Sequence, residues 1–145
     1  MDKEYFERLM KMAKKFEDEG VVIPKLGMIE SLKVLSEDGR ETFYVDCDRK
    51  NRIELKVKNQ NRHSSNTVLF RVEVNCPPHL NPDGTLLSRN HVHIFTEEYG
   101  ESFAVELDEF HPHLFKKWND FNSLFEDFCE YSNIEVQSTQ LSIDE

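Results

Sequence analysis

The sequence predicts an α+β domain: an N-terminal helix, a curved antiparallel sheet of five to seven strands, and a C-terminal helix. Three observations carry this. Apolar residues recur at three- and four-residue steps near both ends of the chain. Between them, short runs alternate apolar and polar residues with the two-residue period of a strand. Turn sequences such as Glu37-Asp38-Gly39-Arg40 and Asn81-Pro82-Asp83-Gly84 separate those runs.

Residues 3 to 18 read as the first helix, with Phe6, Leu9, Met10, Ala13 and Phe16 on one stripe, Asp2 as its cap and Gly20 just past its end. Residues 21 to 24 read as a linker or short edge strand. A strand over 26 to 35 turns at Gly39 into a partner strand, Thr42 to Cys47. After a polar turn at 48 to 51, Arg52 to Lys58 alternates, with Ile53, Leu55 and Val57 facing in. Asn59 to Asn66 reads as a polar loop carrying a solvated His63. Thr67 to Val74 is a strongly apolar, central strand, stopped by Pro77 and Pro78, which cannot donate to a ladder. His91 to Thr96 and Ser102 to Leu107 form a hairpin about Gly100. From Asp120, a cap, Phe121, Leu124, Phe125, Phe128 and Cys129 make a second stripe, and Ile134 to Val136 adds a short strand. Residues 1 to 136 are expected to be one domain and 137 to 145 a flexible polar tail.

Composition narrows the classes. Hydrophobic residues make up 38% of 145, enough for a core, and no apolar run is long enough for a bilayer. The N-terminus lacks an apolar signal core, so a cytoplasmic protein is expected. Cys47, Cys76 and Cys129 are odd in number and far apart, which argues for buried, inert thiols over a disulfide framework. The net charge of −10 divides unevenly: about +2 over residues 1 to 71 and about −12 over 72 to 145. The acidic half repels nucleic acid and suits a basic protein surface. Glu126, Asp127 and Glu130, on the outer face of the second helix, are its candidate binding residues. The exception is a basic stripe from Arg49 to Lys58, including Arg52 and Lys56, which fits phosphate but lacks interleaved aromatics.

Chemistry, if present, centres on residues 75 to 95, which hold His79, His91 and His93. His91 and His93 are two apart, so a strand places both rings on one face. They can then act as base and acid on a phosphodiester, with His79 assisting and Arg89 stabilising developing charge. The expected hydroxyl residues two positions after each histidine are absent, since those places hold His93 and Phe95. A metal site would use His91 and His93 with His79 or Asp83 as third ligand. Asp83, Tyr99 and Glu101 can orient or supplement the rings. A structural alternative has the histidines hydrogen-bonding loop carbonyls and pinning the Pro-Pro-His loop to the sheet, with Asn81, Asp83 and Asn90 in the same network. No Gly-rich phosphate loop, GxSxG or dinucleotide fingerprint occurs, so neither a cofactor nor a resident metal is assigned.

Pro77-Pro78-His79-x-Asn81-Pro82-Asp83-Gly84-Thr85, with His91-Val92-His93-Ile94-Phe95, Glu98-Tyr99-Gly100 and Asp46-x-x-Arg49-x-x-Arg52-Ile53, resembles a family of small, functionally uncharacterised bacterial proteins. The resemblance covers about residues 40 to 135 and departs from the family pattern at Phe95, where a Tyr is usual, and in the order of Glu98-Tyr99-Gly100. It implies an accessory protein of Gram-positive bacteria, phages or mobile elements. The leading expectation is therefore a non-enzymatic interaction protein, binding a basic partner and inhibiting a nucleic-acid-binding host complex. A histidine-dependent ribonuclease or phosphodiesterase is second, and a metal-binding enzyme third.

Overall fold

A computed structural model describes residues 1–18, 27–49, 57–63, 67–111 and 113–136, with residues 57–60 given by backbone. Its elements are α1 (Lys3–Lys11), β1 (Lys14–Phe16), β2 (Ile29–Ser36), β3 (Thr42–Asp48), β4 (Val57–His63), β5 (Thr67–Val74), β6 (His79–Leu80), β7 (Leu86–Leu87), β8 (His91–Ile94), β9 (Ala104–Glu106), α2 (Phe121–Tyr131) and β10 (Ile134–Glu135). The architecture is α+β, as the two apolar stripes and the alternating middle imply.

The described strands form one eight-stranded sheet, β10-β1-β2-β3-β4-β5-β8-β9, and a two-stranded hairpin, β6-β7. All pairs are antiparallel except β1 with β10, so the sheet is mixed and slightly larger than expected. The extra strand comes from the first helix. Asp2 caps it as expected, its carboxylate accepting from the Tyr5 amide at 2.7 Å. The helix then stops at Lys11, well short of residue 18, and Lys14 to Phe16 pairs with both β2 and β10. Lys14 is buried there, and its Nζ donates to the carbonyls of Met10, Met12 and Ser132. Those carbonyls belong to the ends of the two helices, which lack intrahelical partners. Burial lowers the Lys14 ammonium to about 7, while three accepting carbonyls favour the charged form, the only one with three donors.

The core lies between α2 and one face of the sheet. Phe121, Leu124, Phe125, Phe128 and Cys129 of α2 are all buried, and Phe128 stacks on Phe70 of β5 at 5.4 Å. Asp120 caps this helix through the Ser123 amide. Cys47, Cys76 and Cys129 are buried thiols outside any disulfide, and burial pushes the Cys47 and Cys129 thiols up.

Two expectations change around β4. His63 is not a solvated loop residue: it pairs with Phe43 in register, and its Nε2 meets Glu41 Oε1 at 2.6 Å. Residues 59 to 63, expected in a polar loop, extend the strand because β3 and β5 flank it on both sides. Of the basic stripe, Arg52 and Lys56 lie outside the described residues, as do residues 21–24, Gly20 and the tail at 137–145. Lys58 stands opposite Asp48 and Glu73 in register. Arg49 is not a surface contact: it is 2% exposed, with its guanidinium 3.6 Å from the Phe121 ring centre.

Candidate metal centre

Strands β5 and β8 pair so that Glu73 faces His91 and Arg71 faces His93. With side chains alternating along each strand, these four residues share one face, opposite the one carrying Phe70 and Val72. Hydrogen bonds close the base of the loop from 75 to 90: the Asn75 amide donates to Asn90 Oδ1 at 2.9 Å, and the Cys76 amide to the Arg89 carbonyl at 3.0 Å. Within the loop, β6 and β7 pair around a turn in which Gly84 takes φ +92°. Asn81 then docks this hairpin on β9. Its side-chain amide donates to the Ala104 carbonyl and accepts from the Ala104 amide, each at 2.8 Å. His79 comes to lie over the other two rings, 4.5 Å from His93 and 5.6 Å from His91 between centroids.

The hydrogen bonds fix which ring nitrogens carry protons. His91 Nδ1 lies 2.9 Å from the Ser88 carbonyl, and His93 Nδ1 lies 2.9 Å from the Glu101 carbonyl. A carbonyl can only accept, so both Nδ1 atoms donate. In a neutral ring, Nε2 is then a bare lone pair. Both Nε2 atoms point at one oxygen, Glu73 Oε2, from 2.8 and 3.0 Å. His91 and His93 are 1% and 3% exposed, and Glu73 is buried with them. Two lone pairs facing a carboxylate in a largely buried site repel unless positive charge lies among them. That charge can be protons on the rings or a cation held by all three groups.

Burial alone raises the Glu73 carboxyl, but hydrogen bonds from His91 and His93 and the Arg71 charge more than reverse this. They hold it well below the usual carboxylate range. Burial likewise pulls His91 down, and the bonds to Glu73 and Ser88 outweigh it, leaving that ring more basic than usual. All three ligand atoms lie within 4.8 Å of one another. A tetrahedral ion with bonds of about 2.1 Å sets its ligand atoms about 3.4 Å apart, so the two Nε2 atoms need move only about 0.4 to 0.6 Å from Glu73 Oε2. Two histidines whose other nitrogens are held by carbonyls, plus a carboxylate, are a common ligand set for divalent transition metals.

Above the triad is a cleft of about 370 Å³, walled by Pro77, Pro78, His79, Glu101 and Ser102, with Arg71 at its side. His79 Nε2 donates to the Ser102 carbonyl at 2.8 Å, which leaves Nδ1 as that ring's lone pair.

The structure thus brings His79, His91 and His93 together, keeps Glu101 beside them with its carbonyl on His93, and places Asp83, Arg89 and Tyr99 outside the cleft lining. The third ligand atom beside the two histidines belongs to Glu73, in place of His79 or Asp83. His79 is tied to Ser102, and Asp83 sits in the hairpin turn, accepting from the Thr85 amide. Arg89 donates to the Asn75 carbonyl at the loop base and is not a cleft residue. Tyr99 stacks on Phe103 at 6.1 Å. Glu126, Asp127 and Glu130 line a separate groove of about 510 Å³ together with Glu37 and Glu135. The carbonyl-pinning expected of the histidines is present at Ser88, Glu101 and Ser102. Sequence reasoning missed Glu73 and Arg71. Their signal is two charges, two residues apart, inside an otherwise apolar strand.

A model for a family of unknown function, DUF6978, matches residues 1–134. The chain belongs to this family. The DUF6978 match runs from α1 through Glu73, His91 and His93 and through α2 into β10, so the family unit includes the whole site. It agrees with the expected resemblance to a functionally uncharacterised family. No curated protein and no solved structure matches the chain.

Proposed function

We propose that this protein is a metal-dependent hydrolase working at Glu73, His91 and His93. One observation carries the reading: the Nε2 atoms of two histidines and a carboxylate oxygen converge, while both Nδ1 atoms are committed to carbonyls. Three protein ligands under an open cleft leave a coordination position for water or substrate, as catalytic sites do and structural ones do not. A divalent ion held there would supply Lewis acidity and an acidified water. His79, with Nδ1 as its acceptor, supplies a base at the cleft wall. The metal-free acid–base pair of His91 and His93 is less well supported, because both catalytic nitrogens are turned onto Glu73 and away from any substrate.

The test is a titration of the metal-free chain with zinc, repeated with cobalt(II) so that visible absorption reports the geometry. We expect one ion per chain at micromolar affinity or tighter, with nitrogen-bound tetrahedral or five-coordinate spectra. Hydrolysis of a chromogenic phosphodiester should appear with metal and vanish with chelator. Binding no tighter than millimolar would overturn the proposal.

A second reading rests on a different observation. The carboxylates of Glu37, Glu126, Asp127, Glu130 and Glu135 cluster around one groove and are not scattered. This supports a binding face for a basic protein surface, and the expected inhibitor role would be exercised there.

A further inference from the structure

We infer that the cleft takes a tetrahedral oxyanion, a phosphate or phosphoester group, held between the metal position and Arg71. This deepens the metal-centre reading and rests on it. Arg71 lies two residues before Glu73 on β5 and opposite His93, so its side chain flanks the triad on the same face. Its guanidinium carries five N–H donors in a planar fork. Among the described residues, Nε has no hydrogen-bond partner although it is buried, and it stands 3.7 Å from Glu73 Oε2. The hydrogen bond from Nη1, to Glu101 Oε1, is long at 3.4 Å. A buried donor without an acceptor is costly, so a ligand that supplies one gains accordingly.

Glu101 is the movable partner. Its side chain is 46% exposed, against 22% for Arg71, so it can swing out and release the guanidinium. Formal charge favours an anion: a divalent ion with Glu73, Arg71 and Glu101 leaves the cleft about one unit positive. Pro77 and Pro78 contribute wall surface without N–H donors, so the positive charge that meets an anion comes from Arg71 and the ion. An arginine fork and a cation on adjacent oxygens are a recurring way to hold a phosphoryl group. The cleft volume is at the small-ligand end of the usual range of about 300–1,000 Å³.

The experiment titrates inorganic phosphate into the cobalt-loaded full chain, reading the visible bands, and into the metal-free chain, reading heat. Wild type is compared with Arg71→Ala and the bulkier Arg71→Gln, each first checked for metal stoichiometry and for an intact thermal melt. We expect phosphate to bind the loaded wild type below millimolar concentration. Both variants should keep one metal per chain and bind phosphate at least roughly ten-fold more weakly. Equal phosphate affinity in wild type and variants, or no binding to the loaded wild type, overturns the inference. A chain that takes no metal yet binds phosphate through Arg71 overturns the metal reading and keeps the anion site.

Discussion

Glu73 Oε2 lies within 3.0 Å of the Nε2 atoms of two histidines at the floor of the cleft, and its negative charge is what lets two rings point those atoms at one place. Replacing it with Gln keeps the shape and offers one ring a donor while removing the charge. Glu73→Gln is therefore expected to fold, with a stability loss of about 1–2 kcal/mol in urea melts. Zinc affinity should fall at least roughly ten-fold by calorimetry. Unchanged affinity would show that the carboxylate is not a ligand. This residue was hidden in the sequence for a physical reason. His91 and His93 announce a shared face by their own spacing, but the partner that completes them lies on another strand. Only the β5–β8 register, which no local pattern encodes, brings Glu73 opposite His91.

Among the elements, α2 was the most legible: its cap at Asp120 and its five-residue apolar stripe both stand in the structure as read. Helix α1 was over-extended because Ala13 and Phe16 continue its spacing, while the pull of β2 and β10 on residues 14–16 comes from far along the chain. On α2, burial raises Asp127 to about 6, with Glu130 and Glu126 adding to it. The fold thus binds this proton more tightly than the unfolded chain, whose value is near 3.8. The sign follows: this group's contribution is most favourable below pH 3.8 and is lost as pH rises through about 6. Asp127→Asn should melt higher than wild type at pH 7, by an amount on the order of 1 kcal/mol, and the two should converge near pH 4. A gap that persists at pH 4 would assign the effect to something other than this charge.

For the whole molecule, the loop from 75 to 90 matters as a cover over the sheet. Its turn chemistry was readable at Pro82-Asp83-Gly84, but its docking was not, since Asn81 acts through an edge strand 23 residues away. By bonding both ways to Ala104, Asn81 holds the hairpin, and with it His79, above the triad. Asn81→Ala should leave metal binding within a few-fold of wild type, because no ligand is touched. It should cost about 1–3 kcal/mol in a denaturant melt. Faster amide exchange at Ala104 would locate that loss, and unchanged protection there would contradict the docking role. No helix among the described residues is long and apolar enough to cross a membrane.

The parallel pairing of β1 with β10 has a consequence in time. Lys14 and Ile134 are register partners, and Lys14 also reaches Ser132, so the first strand can pair with β2 early but its other edge waits for nearly the last described residues. Contacts of such long sequence separation close slowly. During synthesis, the buried ammonium can reach the Met10 and Met12 carbonyls early but lacks its Ser132 partner, and β1 lacks its β10 neighbour, until residue 134 has left the ribosome. The proposed metal ligands, at 73, 91 and 93, are complete well before that. An ion captured early would therefore hold the middle of the sheet together while its edge is still being made.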